Sequence, residues 1–426
     1  RVSAKGAYDA VTATYRLELS QDTPPTPGQP TKKPMTIPVA LGLVPRAGGA
    51  LPARCDRVGE SGVFVLDQAA DSLIFTNVTA APVPSLFRGF SAPVRVALDL
   101  DDDELLSLLR HDSDPFNRWQ SAQTVATRLL VLLARSANTA GEAADGLAAA
   151  LLAFLERDAA RDPAFAAQVL ALPSETEIAQ EIGSDVDPDA VHRARESLRE
   201  VVGRRLTERL LTQRDELASS GRYSPDAASA GRRALRNVAL DLIAAGDAGL
   251  GERLALQQLR TAANMTDRLA GLAVLATIPG EARESALRDF ADRYRDDPLV
   301  LDKWFALQAM IPEADALDRI RRLMEHPAFS LTNPNRVRSL VGSFSVGNPT
   351  QFHRRDGAGY AFLADTVLTL DPTNPQVAAR LLTAFGPWRT MESRRRAEAE
   401  TALQRIARQA DLSPDVSDIA QRSLAG

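Results

Sequence analysis

Residues 94–109 read VRVALDLDDDELLSLL, and two different patterns meet in this stretch. In its first part, VRVAL at 94–98, apolar and polar residues alternate as they do in a half-buried strand. In its second part, a leucine-rich run follows the four acids at 101–104. Acidic residues favour the first turn of a helix because the helix N-terminus carries partial positive charge. The stretch therefore predicts that a strand ends near Leu98 and that a helix begins near Asp101.

The composition of the chain also changes at this point. Residues 1–98 hold 11 of the 26 prolines and carry 10 cationic against 7 acidic side chains, while the rest carries 40 against 48. A chain of 426 residues is too long for one ordinary core. We predict two domains, a β-sandwich domain at 1–98 and an α-helical superhelix domain at 99–426.

The first domain is predicted to be a small all-β sandwich of the Ig-like kind. Apolar residues alternate with polar ones from Val11 to Leu19, and glycines and prolines mark turns between the later segments. Short strands with turn signals and no helix between them are typical of a sandwich. The strands are expected at 11–19, 35–44, 62–66, 72–77 and 94–98.

The second domain is predicted to be all-α. Amphipathic stretches follow one another with short breaks, for example at 188–217, 334–344 and 375–385, and proline often stands at the first helical position. Many helices joined by short turns favour a superhelix of HEAT- or armadillo-like helix pairs. The sequence shows no clean fixed-period repeat, so a large helical bundle remains the alternative.

Several function classes are disfavoured by the sequence. The net charge of −5 argues against a nucleic-acid partner, and no apolar run reaches the roughly 18 residues of a membrane span. One cysteine excludes an intrachain disulfide, and none of the four histidines belongs to an H-E-x-x-H pair. Phosphate-binding glycine motifs and G-x-S-x-G are also absent. We therefore predict no catalytic residue, no metal ligand and no cofactor in this segment.

Several unusual strings resemble bacterial aminopeptidase N, the zinc alanyl aminopeptidase, and they keep the order that they have in that family. The longest is TNPNRVRSLVGSFSVGNPTQFHRRDGAGY at 332–360, which NPQVAARL at 374–381 continues. The others are TPPTPGQPTKKPMTIPVAL at 23–41, PVPSLFRGFSAPV at 82–94, DSDPFNRW at 112–119, NMTD at 264–267 and LDKWF at 301–305. One departure is Ala263, where the family usually has a second asparagine.

The resemblance implies that the chain is the C-terminal half of a longer zinc metallopeptidase. In this family a β-sandwich and a helical superhelix follow the catalytic domain, so the zinc and every catalytic residue would lie upstream. The implied partners are the chain's own upstream catalytic domain and peptide substrates, and the implied location is the cytoplasm. This part would enclose the active-site cavity and would be inactive alone.

The resemblance also implies a contribution to the primed side of the substrate site. The matching positions are Arg338, Gln376 and Arg380. Asn374 and Pro375 predict a helix start, so Gln376 and Arg380 share one face close to the positive helix end. Two guanidinium groups near helix N-termini form a plausible receptor for the C-terminal carboxylate of a peptide.

Other interpretations stay open at this point. An arginine on a superhelix most often lies on a solvated face, and a glutamine in the first turn is an ordinary capping choice. A helical-repeat scaffold that binds a protein partner, with no enzymatic role, is the alternative function.

Overall fold

The computed structural model describes residues 1–59, 61–136, 141–218 and 223–425. The chain divides into two compact units, each with its own internal packing. The first unit comprises Arg1–Leu129 and Glu142–Leu172, and the second comprises Leu130–Gly141 and Pro173–Gly426.

The first unit begins with a β-sandwich. One sheet has the strand order β5-β2-β1-β7 and the other has the order β4-β3-β6. The strands are β1 Val2–Asp9, β2 Thr14–Gln21, β3 Ile37–Pro45, β4 Val63–Leu66, β5 Ala70–Phe75, β6 Pro82–Leu86 and β7 Val96–Leu98. Alternate residues of β2 and β3, such as Leu17, Leu19 and Val39, are buried in the core between the sheets.

The predicted strand at 11–19 begins later in the structure. A turn occupies its first residues, where the Asp9 carboxylate accepts a hydrogen bond from the Val11 N–H at 2.8 Å. Ala13 adopts a left-handed conformation with φ of 50°. Apolar residues in the turn extended the alternation beyond the strand. Strand β2 pairs antiparallel with β1, from Asp9 opposite Thr14 to Val2 opposite Gln21.

Two strands were missed by the sequence analysis. In β1 only Val2 is fully buried; Ala4 and Tyr8 on the same face are partly buried and Gly6 lies between them, so the apolar alternation is weak. Every residue of β6 is buried, but two of its five residues are prolines. Because β6 is an edge strand of its sheet, it can accommodate residues that donate no hydrogen bond.

The switch from strand to helix lies where the sequence predicted it. Helix α1, Asp102–His111, follows β7, and the Asp101 carboxylate accepts a hydrogen bond from the Glu104 N–H at 2.7 Å. The Glu104 carboxylate in turn accepts from the Asp101 N–H at 3.0 Å, which completes a capping box.

The compact units do not divide at this switch. Arg46, in the loop that follows β3, forms an ion pair with Glu104 of α1 at 2.5 Å. The side chain of Asn117, in the second helix, donates a hydrogen bond to the Ser85 hydroxyl of β6 at 2.9 Å. The first unit therefore combines the sandwich with α1, α2 Pro115–Arg135 up to Leu129, α3 Gly141–Asp158 from Glu142 onward and α4 Pro163–Leu170. The domain division at residue 98 stays a prediction.

The second unit is built from helices that pack against neighbours along the chain, as in a helical repeat. Helices α6 to α11 each contact the next one in sequence. The helices are α5 Glu175–Ile182, α6 Pro188–Glu216, α7 Ala227–Gly246, α8 Ala248–Thr261, α9 Met265–Ala276, α10 Glu281–Arg293, α11 Pro298–Ala309, α12 Ala316–Met324, α13 Pro334–Val337, α14 Ser343–Gly347, α15 Pro349–Phe352, α16 Ala358–Leu370, α17 Pro375–Leu382, α18 Ser393–Ala407 and α19 Pro414–Ala425. A π-helical segment, Arg338–Gly342, joins α13 to α14.

Within the described residues, no helix is long and apolar enough to cross a membrane. The strands and helices together confirm the predicted fold class, a β-sandwich followed by a helical repeat region.

Glycines allow the close approach of α6 and α7. A methyl group on Gly203 would meet the Leu242 carbonyl oxygen and would lie 2.7 Å from the Gly246 backbone nitrogen. A backbone atom cannot rotate away as a side chain can. We expect Gly203→Ala to lower the free energy of unfolding by about 1–3 kcal/mol or more, measured by urea denaturation.

The control is Gly146→Ala in α3, where an added methyl group would meet only Leu106 Cδ1 at 3.8 Å. This substitution should raise the free energy of unfolding by about 0.5–1 kcal/mol, because alanine loses less backbone entropy than glycine in a helix. Equal effects of the two substitutions would contradict the close approach.

Candidate functional site

Asn333 and Pro334 start the helical stretch that carries Arg338. The Asn333 side-chain oxygen accepts hydrogen bonds from the backbone N–H groups of Asn335 at 3.0 Å and Arg336 at 3.4 Å. Proline at the first helical position lacks an N–H that would have no partner there. The stretch was predicted as a regular helix to residue 344, but it widens into the π segment at Arg338 and continues to Gly347. Such π-helical insertions are frequent at functional sites.

Arg338 is exposed, and its guanidinium is held by its own helix. Its Nε donates to the Pro334 carbonyl at 3.1 Å, and its Nη2 donates to Asn335 Oδ1 at 2.8 Å. Among the described residues it has no carboxylate within ion-pair distance. The side chain is therefore oriented, and donors remain for an external anion.

Arg336, two residues earlier, has a different role. It is 5% exposed, pairs with Asp302 of α11 and donates to the carbonyls of Pro298 at 2.7 Å and Ala328 at 2.8 Å. These contacts fix the start of α13 against α11. The string NPNRVR thus contains one structural arginine and one arginine that is open to solvent.

Gln376 and Arg380 lie on the exposed face of α17. The Asn374 side chain caps this helix by accepting from the Val377 N–H at 3.2 Å. The opposite face buries Ala378, Ala379, Leu381 and Leu382 in the core. Gln376 and Arg380 are one turn apart, and in the described part of the chain the Arg380 guanidinium forms no ion pair.

The structure brings the two elements that carry these residues together. Helix α17 contacts the π segment, and a methyl group on Gly342 would lie 3.9 Å from both Arg338 Cβ and Leu381 Cδ2. No hydrogen bond joins the three predicted side chains to one another within the described ranges. Their elements are neighbours, and their side chains all reach solvent.

A largely apolar cavity of about 560 Å³ lies in the same unit, and the sequence analysis did not find it. Its lining includes Val186, Val346, Met391 and His353. The lining residues come from α5, α6 and the loop between them, from α14 and α15, and from the turns that follow α15 and α17. Because these segments are distant in sequence, no local pattern could reveal the cavity.

His353 is the titratable group of greatest interest in this cavity. It is buried, and its Nδ1 lies 2.9 Å from the Tyr360 hydroxyl. Burial, together with the nearby Arg395 cation, lowers the pKa of His353 to about 3. His353 is therefore neutral at physiological pH.

The residues present do not fit a zinc ion. His192 contacts Glu175 at 2.7 Å, His326 packs against Trp304 and Phe305, and His353 contacts Tyr360. The described ranges contain no group of three His, Cys, Asp or Glu side chains that could hold a metal ion. We derive no chemical step through zinc in this segment.

Two protein-family models match this chain. Residues 102–425 match a family model described as a domain of unknown function, DUF3458_C, with ARM repeats, and residues 1–99 match DUF3458, with an Ig-like fold. The chain belongs to the DUF3458_C family. The two matches agree with a β-sandwich followed by a helical repeat region.

Three curated relatives are called aminopeptidase N. The chain is 36% identical to that of Escherichia coli over 432 residues, which cover 100% of this chain and 49% of the relative. It is 41% identical to that of Caulobacter vibrioides, covering 90% of this chain and 44% of the relative, and 33% identical to that of Haemophilus influenzae, covering 98% and 48%. The chain spans about half the length of these relatives, and the resemblance seen in the sequence is confirmed.

A solved structure gives the same result. The crystal structure of Legionella pneumophila aminopeptidase A in complex with aspartic acid matches with a TM-score of 0.83 and 26% sequence identity. The match covers 100% of this chain and 48% of that chain.

The buried His353 predicts a pH dependence of stability. The unfolded state takes up a proton near pH 6.5, whereas folded His353 stays neutral down to about pH 3. The stability that neutral His353 contributes is therefore lost as the pH falls below 6.5, by up to about 1.4 kcal/mol per pH unit. His353→Gln should reduce the slope of unfolding free energy between pH 6.5 and 4.

His192→Gln is the matched control. A hydrogen bond to Glu175 raises the pKa of His192, so its contribution is present below pH 6.5 and is lost as the pH rises through the folded-state value. This variant should leave the acid slope unchanged and reduce the loss of stability above pH 6.5. Identical pH profiles for wild type and His353→Gln would contradict the assignment.

Proposed function

We propose that this chain is the C-terminal portion of a zinc metallo-aminopeptidase that removes N-terminal amino acids from peptides. The observation that carries the proposal is the match of the whole chain to about half the length of several aminopeptidase N relatives. Under this proposal the zinc, the catalytic residues and the peptide bond that is cleaved belong to the upstream half. The chain's partners are that upstream catalytic domain and peptide substrates, and the enzyme acts in the cytoplasm.

The role proposed for this portion is to enclose the active-site cavity and to bind the primed side of the substrate. Arg338, Gln376 and Arg380 would contact the C-terminal carboxylate of a short peptide. Their support is chemical: both guanidinium groups are exposed, and neither pairs with a carboxylate in the described structure. Arg338 is also held in place by Pro334 and Asn335.

Arg380→Ala in the full-length gene product tests the carboxylate role. A charge-assisted hydrogen bond contributes about 1.5–3 kcal/mol, so kcat/KM for a dipeptide or tripeptide should fall by roughly ten- to a hundredfold. An amino-acid anilide has no carboxylate and should lose much less. Steady-state kinetics on both substrates provide the measurement.

Arg422→Ala on α19 is the matched control, because Arg422 is an exposed arginine that already pairs with Asp418 at 2.9 Å. It should change neither substrate's kcat/KM. If Arg380→Ala reduced activity on the peptide and the anilide equally, a carboxylate role would be rejected, and a structural effect would remain.

The isolated chain provides a second test of the division of labour. We expect it to bind no stoichiometric zinc and to leave alanyl chromogenic substrates uncleaved, because three of its four histidines contact other side chains and the sequence has no H-E-x-x-H pair. Elemental analysis and a peptidase assay measure both. One tightly held zinc per chain, with activity that a chelator removes, would overturn the proposal.

The ARM-repeat match also supports the alternative of a scaffold for a protein partner. An H-E-x-x-H sequence upstream in the same reading frame would favour the peptidase. A stable stoichiometric partner from another gene, with no such motif upstream, would favour the scaffold.

A further inference from the structure

Buried arginines in the described structure have carboxylate partners, with one exception. The paired ones are Arg118, Arg199, Arg283, Arg319, Arg336 and Arg395. Arg214 is equally buried, at 8% exposure, but no described carboxylate lies within ion-pair distance. A buried charge without a partner destabilises a protein. Among the described residues, Arg214 is the one buried arginine that lacks an ion pair.

Arg214 has only neutral acceptors. Its Nη1 donates to the Arg236 carbonyl at 2.8 Å, and its Nη2 donates to Gln258 Oε1 at 3.2 Å. Gln258 is fixed in turn, because its Nε2 donates to Asn237 Oδ1 at 2.8 Å and to the Asp267 carbonyl at 2.9 Å. The guanidinium is thus held in place, but no carboxylate of the described residues contacts it.

A polar cavity of about 480 Å³ opens beside Arg214, and it collects further positive charge. Arg232, Arg233 and Arg236 of α7 also line it. The Arg236 Nε atom is buried with no hydrogen-bond partner in the described structure. Arg232 and Arg236 are one helical turn apart, a spacing at which like charges destabilise a helix.

The described acids that line the cavity form no ion pair with these arginines, although the charges of Asp215 and Asp267 partly offset that of Arg214. Asp267 is buried, but its two carboxylate oxygens accept from Asn237 at 3.1 Å and Asn264 at 2.8 Å. Asp215 is exposed and forms no described ion pair. The neighbouring residues 219–222, which lie outside the described ranges, read SSGR and contain no acid.

The electrostatics of Arg214 agree with a missing anion. Burial and the neighbouring Arg236 cation lower the pKa of Arg214 to about 10, against the smaller opposing effects of Asp215 and Asp267. A bound anion would offset both the burial and the Arg236 cation. Apolar walls from Leu211, Leu254 and Tyr223 leave room for the carbon skeleton of an organic ligand.

We propose that this cavity binds a small organic anion whose carboxylate or phosphate group contacts Arg214 and Arg236. Guanidinium groups bind both anions through paired N–H donors. A free small molecule and an Asp or Glu side chain of another segment share this chemistry; the cavity's volume and apolar walls favour the free molecule. This site is independent of the proposed peptidase function.

The test uses the full-length gene product, with inorganic phosphate and citrate as probes. Calorimetry should show that either probe at millimolar concentration raises the melting temperature above that in chloride of equal ionic strength. Arg236→Gln and Arg232→Gln should each weaken binding, with Arg236→Gln raising Kd roughly tenfold or more. In chloride alone, the melting temperature of Arg236→Gln should be unchanged or higher, because a like-charge contact is relieved.

Arg396→Gln on α18 is the control, since it makes the same charge change at an exposed arginine far along the chain. It should bind the probes as the wild type does. An equal temperature shift in wild type and Arg236→Gln, or no shift in the wild type, would overturn the proposal. So would a crystal structure in which an acidic side chain of the protein itself contacts Arg214.

Discussion

The second unit depends on one fully buried cation, Arg395. Its Nη1 lies 3.0 Å from Asp187 and 3.3 Å from Glu392, its Nη2 lies 2.6 Å from Asp189, and its Nε donates to the His353 carbonyl. Asp187 and Glu392 also cap α6 and α18, and a backbone bridge between Val186 and Met391 lies beside them. The cluster joins residues more than 200 positions apart, and removing one partner of such a cluster typically costs about 3–5 kcal/mol.

This cluster explains why an apolar cavity can persist beside it. Val186 and Met391 line the cavity, and the polar contacts of the cluster hold their segments in place. The walls of the cavity therefore stay apart without side chains that fill the space between them. Burial is the main reason that His353 is neutral, and the Arg395 cation adds to it because a second positive charge in this buried place would be repelled. Arg395 therefore helps to hold the walls of the cavity and also favours the neutral form of its histidine.

Local sequence patterns predicted the elements well where a local cause operates. The acids at 101–104 and the pairs Asn333-Pro334 and Asn374-Pro375 start helices because capping involves only near neighbours. The strand β6 and the π segment escaped prediction because edge position and helix widening depend on tertiary packing. The cavities escaped for the same reason. Arg338, Gln376 and Arg380 are exposed on neighbouring elements, and their role in substrate binding stays a prediction that only the resemblance suggested.

Whether an arginine is structural or free to bind a ligand depends on the partner that it has in the folded protein. The local sequence does not contain that information. Arg336 and Arg338 are two residues apart, yet one is buried against Asp302 and the other is exposed. An exposed ion pair contributes only about 0–1 kcal/mol, since water screens it. Under the proposed function, strong binding of a peptide carboxylate by Arg338 and Arg380 would therefore require that another part of the protein exclude water from them, as the proposed enclosed cavity would do. Arg214 needs no such closure, because the fold has already removed it from water.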